Sequence, residues 1–231
     1  MIMTKHNNFS SSSIGSKTLM ATTGLFLIFF LVVHLCGNLQ MFAGQDAVNT
    51  YAVLLKSFPK LLWSMRIALI AAFVLHIYTS IQLTIKNRAA RPIAYGQNQP
   101  VRSTLASRTM LLSGLVVLAF VLFHLAHLTL GWISPEQANL IDAQGRHDVY
   151  NMTVLGFQNI YICSFYIVAQ ILLCLHISHG FSSSAQTLGL SAHGRCAVFL
   201  RRFGVCFALL IAILYISIPA SVWLGIIPTE L

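Results

Sequence analysis

Carboxylates are scarce in this chain. Five Asp plus Glu stand against fourteen Lys plus Arg, and charged residues make up only 8% of 231 positions. A soluble domain carries about a quarter of its residues charged, so with 57% apolar residues a water-soluble globule is excluded. Long charge-free runs take its place, over roughly 19–43, 61–85, 109–133, 155–181 and 203–227. Each meets the length of about 20 apolar residues that a helix needs to cross a bilayer. Lipid leaves backbone groups no partner outside the segment, so each run is expected to be α-helical. The expected fold class is an all-α integral membrane protein, a single membrane domain over 1–231 with five transmembrane helices. Cysteine offers no disulfide framework: Cys36, Cys163, Cys174 and Cys206 fall inside spans and Cys196 in a connection.

The net charge of +9 would suit a nucleic-acid binder were the cations clustered without regard to the spans. They are sorted by side instead. Lys5 and Lys17 precede the first span, Lys86, Arg88, Arg91, Arg102 and Arg108 fill the second connection, and Arg195, Arg201 and Arg202 fill the fourth. The other side holds Lys56, Lys60, Arg66 and Arg146 together with every acid: Asp46, Glu136, Asp142, Asp148 and Glu230. Short cytoplasmic loops retain Lys and Arg, so the N-terminus is expected inside and the C-terminus outside, and no nucleic acid is expected as a partner. The first apolar run is longer than a signal-peptide core and no small-residue cleavage pattern follows it, so it reads as a retained helix.

Nine histidines are many for so apolar a chain, and six of them fall within four predicted spans, where ionisable groups are rare and usually functional. His34 lies ten residues after Gly24 in Thr23-Gly24-Leu25, and His124 lies ten after Gly114 in Ser113-Gly114-Leu115. Both fall late in inside-to-outside helices, hence in the outer half. His76 and His176 fall late in outside-to-inside helices, hence in the inner half, and each stands between Leu and Ile. Two pairs at two depths, each shared by two helices, is what bis-imidazole ligation of two stacked haems in a four-helix bundle requires. Gly24 and Gly114 lie about 15 Å below the outer histidines, where an inner macrocycle would need room. Packing or proton-relay roles are the competing readings of a single buried histidine. His124 with His127, and His176 with His179, are also i,i+3 pairs that suit zinc or another transition metal in a transporter. No predicted span supplies a carboxylate to complete such a site, and no Cys-x-x-Cys-His occurs, so any haem is bound without the c-type linkage.

The chain resembles the five-span di-haem cytochrome b subunit of succinate dehydrogenases and fumarate reductases. The resemblance covers nearly all of it and rests on Thr23-Gly24-Leu25-Phe26-Leu27 running to His34-Leu35 and Asn38. Further along it rests on Ser113-Gly114 running to Phe123-His124-Leu125, and on Leu175-His176-Ile177-Ser178-His179-Gly180-Phe181 continuing to Gln186-Thr187-Leu188-Gly189-Leu190. It implies two haems b. The inner or proximal haem falls on His76 and His176, and the outer or distal haem on His34 and His124, while His127 and His179 are packing or supporting groups. It also implies a flavoprotein subunit and an iron–sulfur subunit docked on the cytoplasmic side of a bacterial inner membrane. This chain, which has no dicarboxylate site of its own, would anchor them and carry electrons between the iron–sulfur subunit and a quinone, menaquinone being the expected one.

Arg108, Ser107, Ser182 and Thr187 are the candidate propionate contacts, with Arg108 preferred. Asn38, Gln40, Arg66, Gln158 and Asn159 are polar groups at the membrane level of an outer quinone pocket, or else interfacial helix-end residues. Two places depart from relatives: Cys174 stands where some carry Glu, and Leu55-Lys56-Ser57-Phe58-Pro59 offers no carboxylate near the outer surface. The alternatives are a di-haem cytochrome b of another membrane dehydrogenase, of the hydrogenase or formate dehydrogenase type, and the histidine-based transporter.

Overall fold

The computed structural model describes residues 13–90, 108–190 and 194–230. Five of its helices are long and apolar enough to cross a membrane. The first, α1, runs Ser13–Asn38 and tightens into a 3₁₀ turn, Leu39–Ala43. A short α2, Gln45–Lys56, lies between it and α3, Pro59–Ala89, whose first residue is a proline, a position that needs no backbone N–H. Then come α4, Met110–His124, ending in a π-helical turn, Leu125–Thr129, and the one-turn α5, Pro135–Ala138. The chain finishes with α6, Val149–Gln158, α7, Ile160–Thr187, and α8, Arg195–Trp223. Among the described residues no strand is longer than a single bridge, between Ile141 and His147.

The spans fall where the charge-free runs predict them, with ends that differ for local reasons. The fourth starts at Ile160 rather than 155, because Asn159 adopts an extended conformation (φ −72°, ψ 113°) and its side chain accepts from the Tyr161 and Ile162 amides. That cap separates α6 from α7 and satisfies N–H groups that a helix start leaves open. The second span runs on to Ala89 and the fourth to Thr187, a turn or more past the last apolar residue, because nothing in Lys86–Arg88 or Ser182–Gln186 breaks a helix.

The helices pack in the series α3, α1, α7, α4, with α8 laid along α7 and touching α1. Tyr215 of α8 donates a 2.7 Å hydrogen bond to the Leu31 carbonyl of α1, fixing that contact. The most apolar stretch of α3 buries none of its residues within the protein, as expected of a helix that meets lipid over most of its surface.

At the outer end the sparse acids are gathered into one polar clamp. Asn49 of α2, fully buried, donates to Asp142 Oδ2 (3.0 Å) and Asp148 Oδ1 (3.1 Å) and accepts from the Tyr150 amide (3.2 Å). Arg146 bridges Asp142 (2.7 Å) and Asp46 (2.9 Å). Asp148 also caps α6, accepting from the Asn151 amide, and Gln45 reaches both Asp148 and the Glu230 carbonyl. Burial works against the Asp142 carboxylate, yet hydrogen bonds from the Arg146 amide, the Asn49 side chain, the Arg146 guanidinium and the Gln144 amide hold it down to about 2. Asp148 is opposed by burial in the same way and lowered by Asn151, Asn49 and Gln45. The clamp fixes α2 and α6 over the outer end of the bundle.

Candidate cofactor site

The four histidines that the depth pattern singles out meet in two pairs. The rings of His34 on α1 and His124 on α4 have centroids 5.9 Å apart, and those of His76 on α3 and His176 on α7 are 6.3 Å apart. In each pair the two helices are second neighbours in the series, so among the described residues neither pair belongs to helices in close contact. The imidazoles reach toward each other across the space between them.

That spacing is diagnostic. An imidazole nitrogen about 2 Å from a first-row metal ion puts its ring centre about 3 Å from the ion, so two trans ligands have centroids about 6 Å apart. Both pairs meet this value, and they do so at two levels. Gly24 of α1 and Gly114 of α4 lie directly against the inner rings: a Cβ on Gly24 would stand 3.1 Å from His76 Cε1, and one on Gly114 would stand 3.5 Å from His176 Cε1. Ten helical residues separate each glycine from the outer histidine of its own helix, which sets the two levels about 15 Å apart. The room left by these glycines is thus taken by the inner imidazoles themselves, a refinement of the expectation that they clear space for a macrocycle.

The remaining ring nitrogens are held by the protein. His76 Nδ1 lies 3.2 Å from the Met20 carbonyl and 3.3 Å from Thr23 Oγ1, and His176 Nδ1 lies 3.3 Å from Ser113 Oγ. Each hydroxyl comes from the residue just before a glycine, so Thr23-Gly24 and Ser113-Gly114 serve the inner pair identically: a hydroxyl to orient the ring and a missing side chain to admit it. His124 Nδ1 lies 3.2 Å from Tyr166 Oη. For these three the Nε2 atom is left to face the space between the helices, the arrangement by which a second partner orients a metal-ligating imidazole. His34 differs: Phe30 stacks on it with centroids 5.3 Å apart, and Asn38 Nδ2 lies 3.4 Å from its Nε2.

Around the pairs runs one large cavity of about 1960 Å³, predominantly apolar, that includes all four rings. Single-ligand pockets span about 300–1,000 Å³, so this one has room for more than one large group. At its inner end it is lined by Lys17, Arg88, Arg108 and Thr187, and at its outer end by Asn38, Tyr51, Trp63 and Arg66. The residues present therefore fit two bis-imidazole macrocycles with anionic edges: neutral donors in trans pairs, apolar walls, and cations at one end.

No protein-family model, curated protein or solved structure matches the chain. What the site can do is read from its own residues.

Of the propionate candidates, Arg108 and Thr187 line the cavity, Ser182 instead donates to the Ser178 and His179 carbonyls of its own helix, and Ser107 lies outside the described residues. Lys17 and Arg88 join Arg108 at the inner end. Sequence reading assigned both to orientation alone, and their place at the ends of α1 and α3, level with Arg108, was the signal that could have added them. Of the quinone candidates, Asn38 and Arg66 line the cavity, and Arg66 lies over the Trp63 ring at 5.1 Å. Gln40 and Gln158 lie outside the cavity, Gln158 on the exposed end of α6, and Asn159 is the α7 cap.

The i,i+3 partners part company with the ligand pairs. His179 lines the inner part of the cavity. His127 is buried, 2% exposed, with its Nδ1 3.0 Å from the same Tyr166 hydroxyl that serves His124. Among the described residues no three His, Cys, Asp or Glu side chains converge as a closed zinc site requires.

Proposed function

We propose that this chain is the membrane-anchor cytochrome b subunit of a succinate:quinone oxidoreductase, holding two haems b and serving electron exchange between soluble subunits and membrane quinone. The observation that carries the di-haem part is the pair of imidazole pairs, 5.9 and 6.3 Å between centroids, at two levels of one apolar cavity. The identity of the dehydrogenase rests on the motifs at Thr23–Asn38, Ser113–Leu125 and Leu175–Leu190. When bound, each haem supplies a one-electron carrier within the low-dielectric layer.

The residues divide the work as follows. His76 and His176 hold the inner group and His34 and His124 the outer one, for which Asn38 must release the His34 Nε2. Thr23 and Ser113 keep the inner rings turned with Nδ1 outward. Lys17, Arg88 and Arg108 neutralise the carboxylates at the inner edge, while the apolar walls exclude water and so strengthen these contacts. At the outer end Asn38 offers an amide and Arg66 a cation to a quinone carbonyl, beside the ring of Trp63. In this reading the cationic face is cytoplasmic, in a bacterial inner membrane, and receives the iron–sulfur and flavoprotein subunits.

The test is spectroscopic and compositional. The purified complex is expected to show b-type reduced-minus-oxidised bands, a pyridine haemochrome value of two haems per chain, covalent flavin and succinate oxidation with a quinone acceptor. Replacing His76 or His176 by Leu should remove the inner haem and replacing His34 or His124 the outer. A haem-free protein refutes the reading, and two haems with co-purified subunits that lack flavin assign the chain to another dehydrogenase.

A further inference from the structure

Tyr166 of α7 is shared by two histidines of α4. Its hydroxyl lies 3.2 Å from His124 Nδ1 and 3.0 Å from His127 Nδ1. The ring is 5% exposed and packed edge-on against Phe120 and Phe157, so the hydroxyl has little freedom to choose another partner. One proton cannot be donated to both imidazoles. The hydroxyl must donate to one Nδ1 and accept from the other.

On the di-haem reading the direction is settled. If His124 offers Nε2 to iron, its neutral ring carries the proton on Nδ1 and donates to Tyr166 Oη. Tyr166 then donates to His127 Nδ1, which leaves the His127 proton on Nε2. That Nε2 is buried and has no partner, and so is Gln137 Oε1 from α5, an acceptor. Both lie by Gly156, where a Cβ would stand 2.7 Å from His127 Nε2 and 3.9 Å from Gln137 Oε1. An orphan donor thus faces an orphan acceptor across a gap that one water molecule can bridge. The buried groups at the far end of the chain of hydrogen bonds are complementary only for the direction that ligation by His124 imposes. The opposite direction would put an acceptor against an acceptor.

We propose that Tyr166 and His127 are positioning residues for the outer haem alone: a directed relay, His124 to Tyr166 to His127 to a site for one water at Gln137, that fixes the His124 tautomer and strengthens it as a donor to iron. The inner ligands have no such chain. Their hydroxyl partners, Thr23 and Ser113, turn their own protons to carbonyls of their own helices, at Leu19 and Met110. Outer-shell acceptors raise the basicity of a ligating imidazole, and a hydroxyl that itself donates onward is a better acceptor. The relay therefore stabilises the oxidised outer haem and lowers its potential relative to an outer site without it.

The proposal rests on the di-haem reading, and the experiment separates the two. Redox titration and low-temperature electron paramagnetic resonance are run on the detergent-purified complex, wild type against Tyr166→Phe and His127→Leu. A wild type with no haem defeats the function assigned above. With two haems present, Tyr166→Phe is expected to raise the midpoint potential and move the resonance of the outer haem only, and His127→Leu to do the same by a smaller amount. Unchanged potentials in both variants, or equal shifts of both haems, overturn the relay. Loss of the outer haem from both variants overturns it too, in favour of packing alone.

Discussion

Gly24 and Gly114 stand at matching places on α1 and α4, yet a methyl group added at each would not be felt equally. At Gly24 it would meet His76 Cε1 at 3.1 Å, tighter than ordinary contact, and at Gly114 it would meet His176 Cε1 at 3.5 Å, which is ordinary. Alanine gains about 1 kcal/mol over glycine inside a helix. Comparing Gly24→Ala with Gly114→Ala cancels that gain and isolates the contact with the ring. Valine at 24 converts tight contact into overpacking, at a cost of about 1–3 kcal/mol. The cost falls on the state in which the imidazole is held in place by its iron, because a ring without that bond can turn aside. Retention of the inner haem is then expected to fall by about 5- to 150-fold. The outer pair, about 15 Å away along the helix, should be untouched. The assay is transfer of haem from the solubilised complex to an excess of haem-free globin, followed optically at the bands of each haem. Gly24→Val should release the inner haem fastest, Gly24→Ala more slowly, and Gly114→Ala at the wild-type rate. Retention of the inner haem by Gly24→Val at the wild-type rate, or parallel release of both haems, would refute the reasoning.

The outer clamp should be sensitive to acid. Asp142 and Asp148 are both held below the ordinary carboxylate value of about 3.9, so the stability they confer is complete above that value and lost as pH falls toward about 2. Melting temperature in detergent is expected to be flat from about pH 7 to 5 and to drop below about 4. Asn49→Leu, which removes a hydrogen bond to each carboxylate, should start lower and fall less steeply, and an unchanged slope would contradict the assignment. At the other end, Arg88→Gln or Arg108→Gln removes a cation that favours the reduced, less positive haem. Each should lower the inner potential in redox titration and leave the outer one in place, so a shift of the outer haem would misplace these residues.

Much of this arrangement is legible from residue order, because the bilayer makes depth readable. Charge-free runs locate the five spans, and the ten-residue offset of His34 and His124 from their glycines places four histidines at two levels before any contact is known. Which side of a helix faces its partner is a different matter. Nothing in the sequence distinguishes Asn38, which lines the cavity, from Gln40 two residues on, because their azimuth depends on where α1 ends and its 3₁₀ turn begins. Asn159 reads equally as a pocket residue or a cap until the extended backbone there decides. The role of Tyr166 was invisible for the same reason: an aromatic in an apolar helix signals core, and only the π-helical turn of α4 and the packing of α7 bring its hydroxyl to two histidines. The acids were informative about orientation but silent about the clamp, whose partners are drawn from segments far apart in the chain.

That remoteness gives the clamp a place in time. Gln45 and Asn49 are synthesised before the second span, Asp142 and Asp148 before the fourth, and Glu230 after the fifth, 185 residues beyond Gln45. While the ribosome is still feeding the translocon, Asp148 and Asn151 wait without the carbonyl and amide that Glu230 brings. Closure comes only when the last helix has crossed and delivered its trailing segment to the outer surface. The clamp thus behaves as a completion latch. Intermediates with four spans expose unpaired carboxylates and amides to the surveillance proteases of the membrane, and only chains that have threaded all five helices hide them.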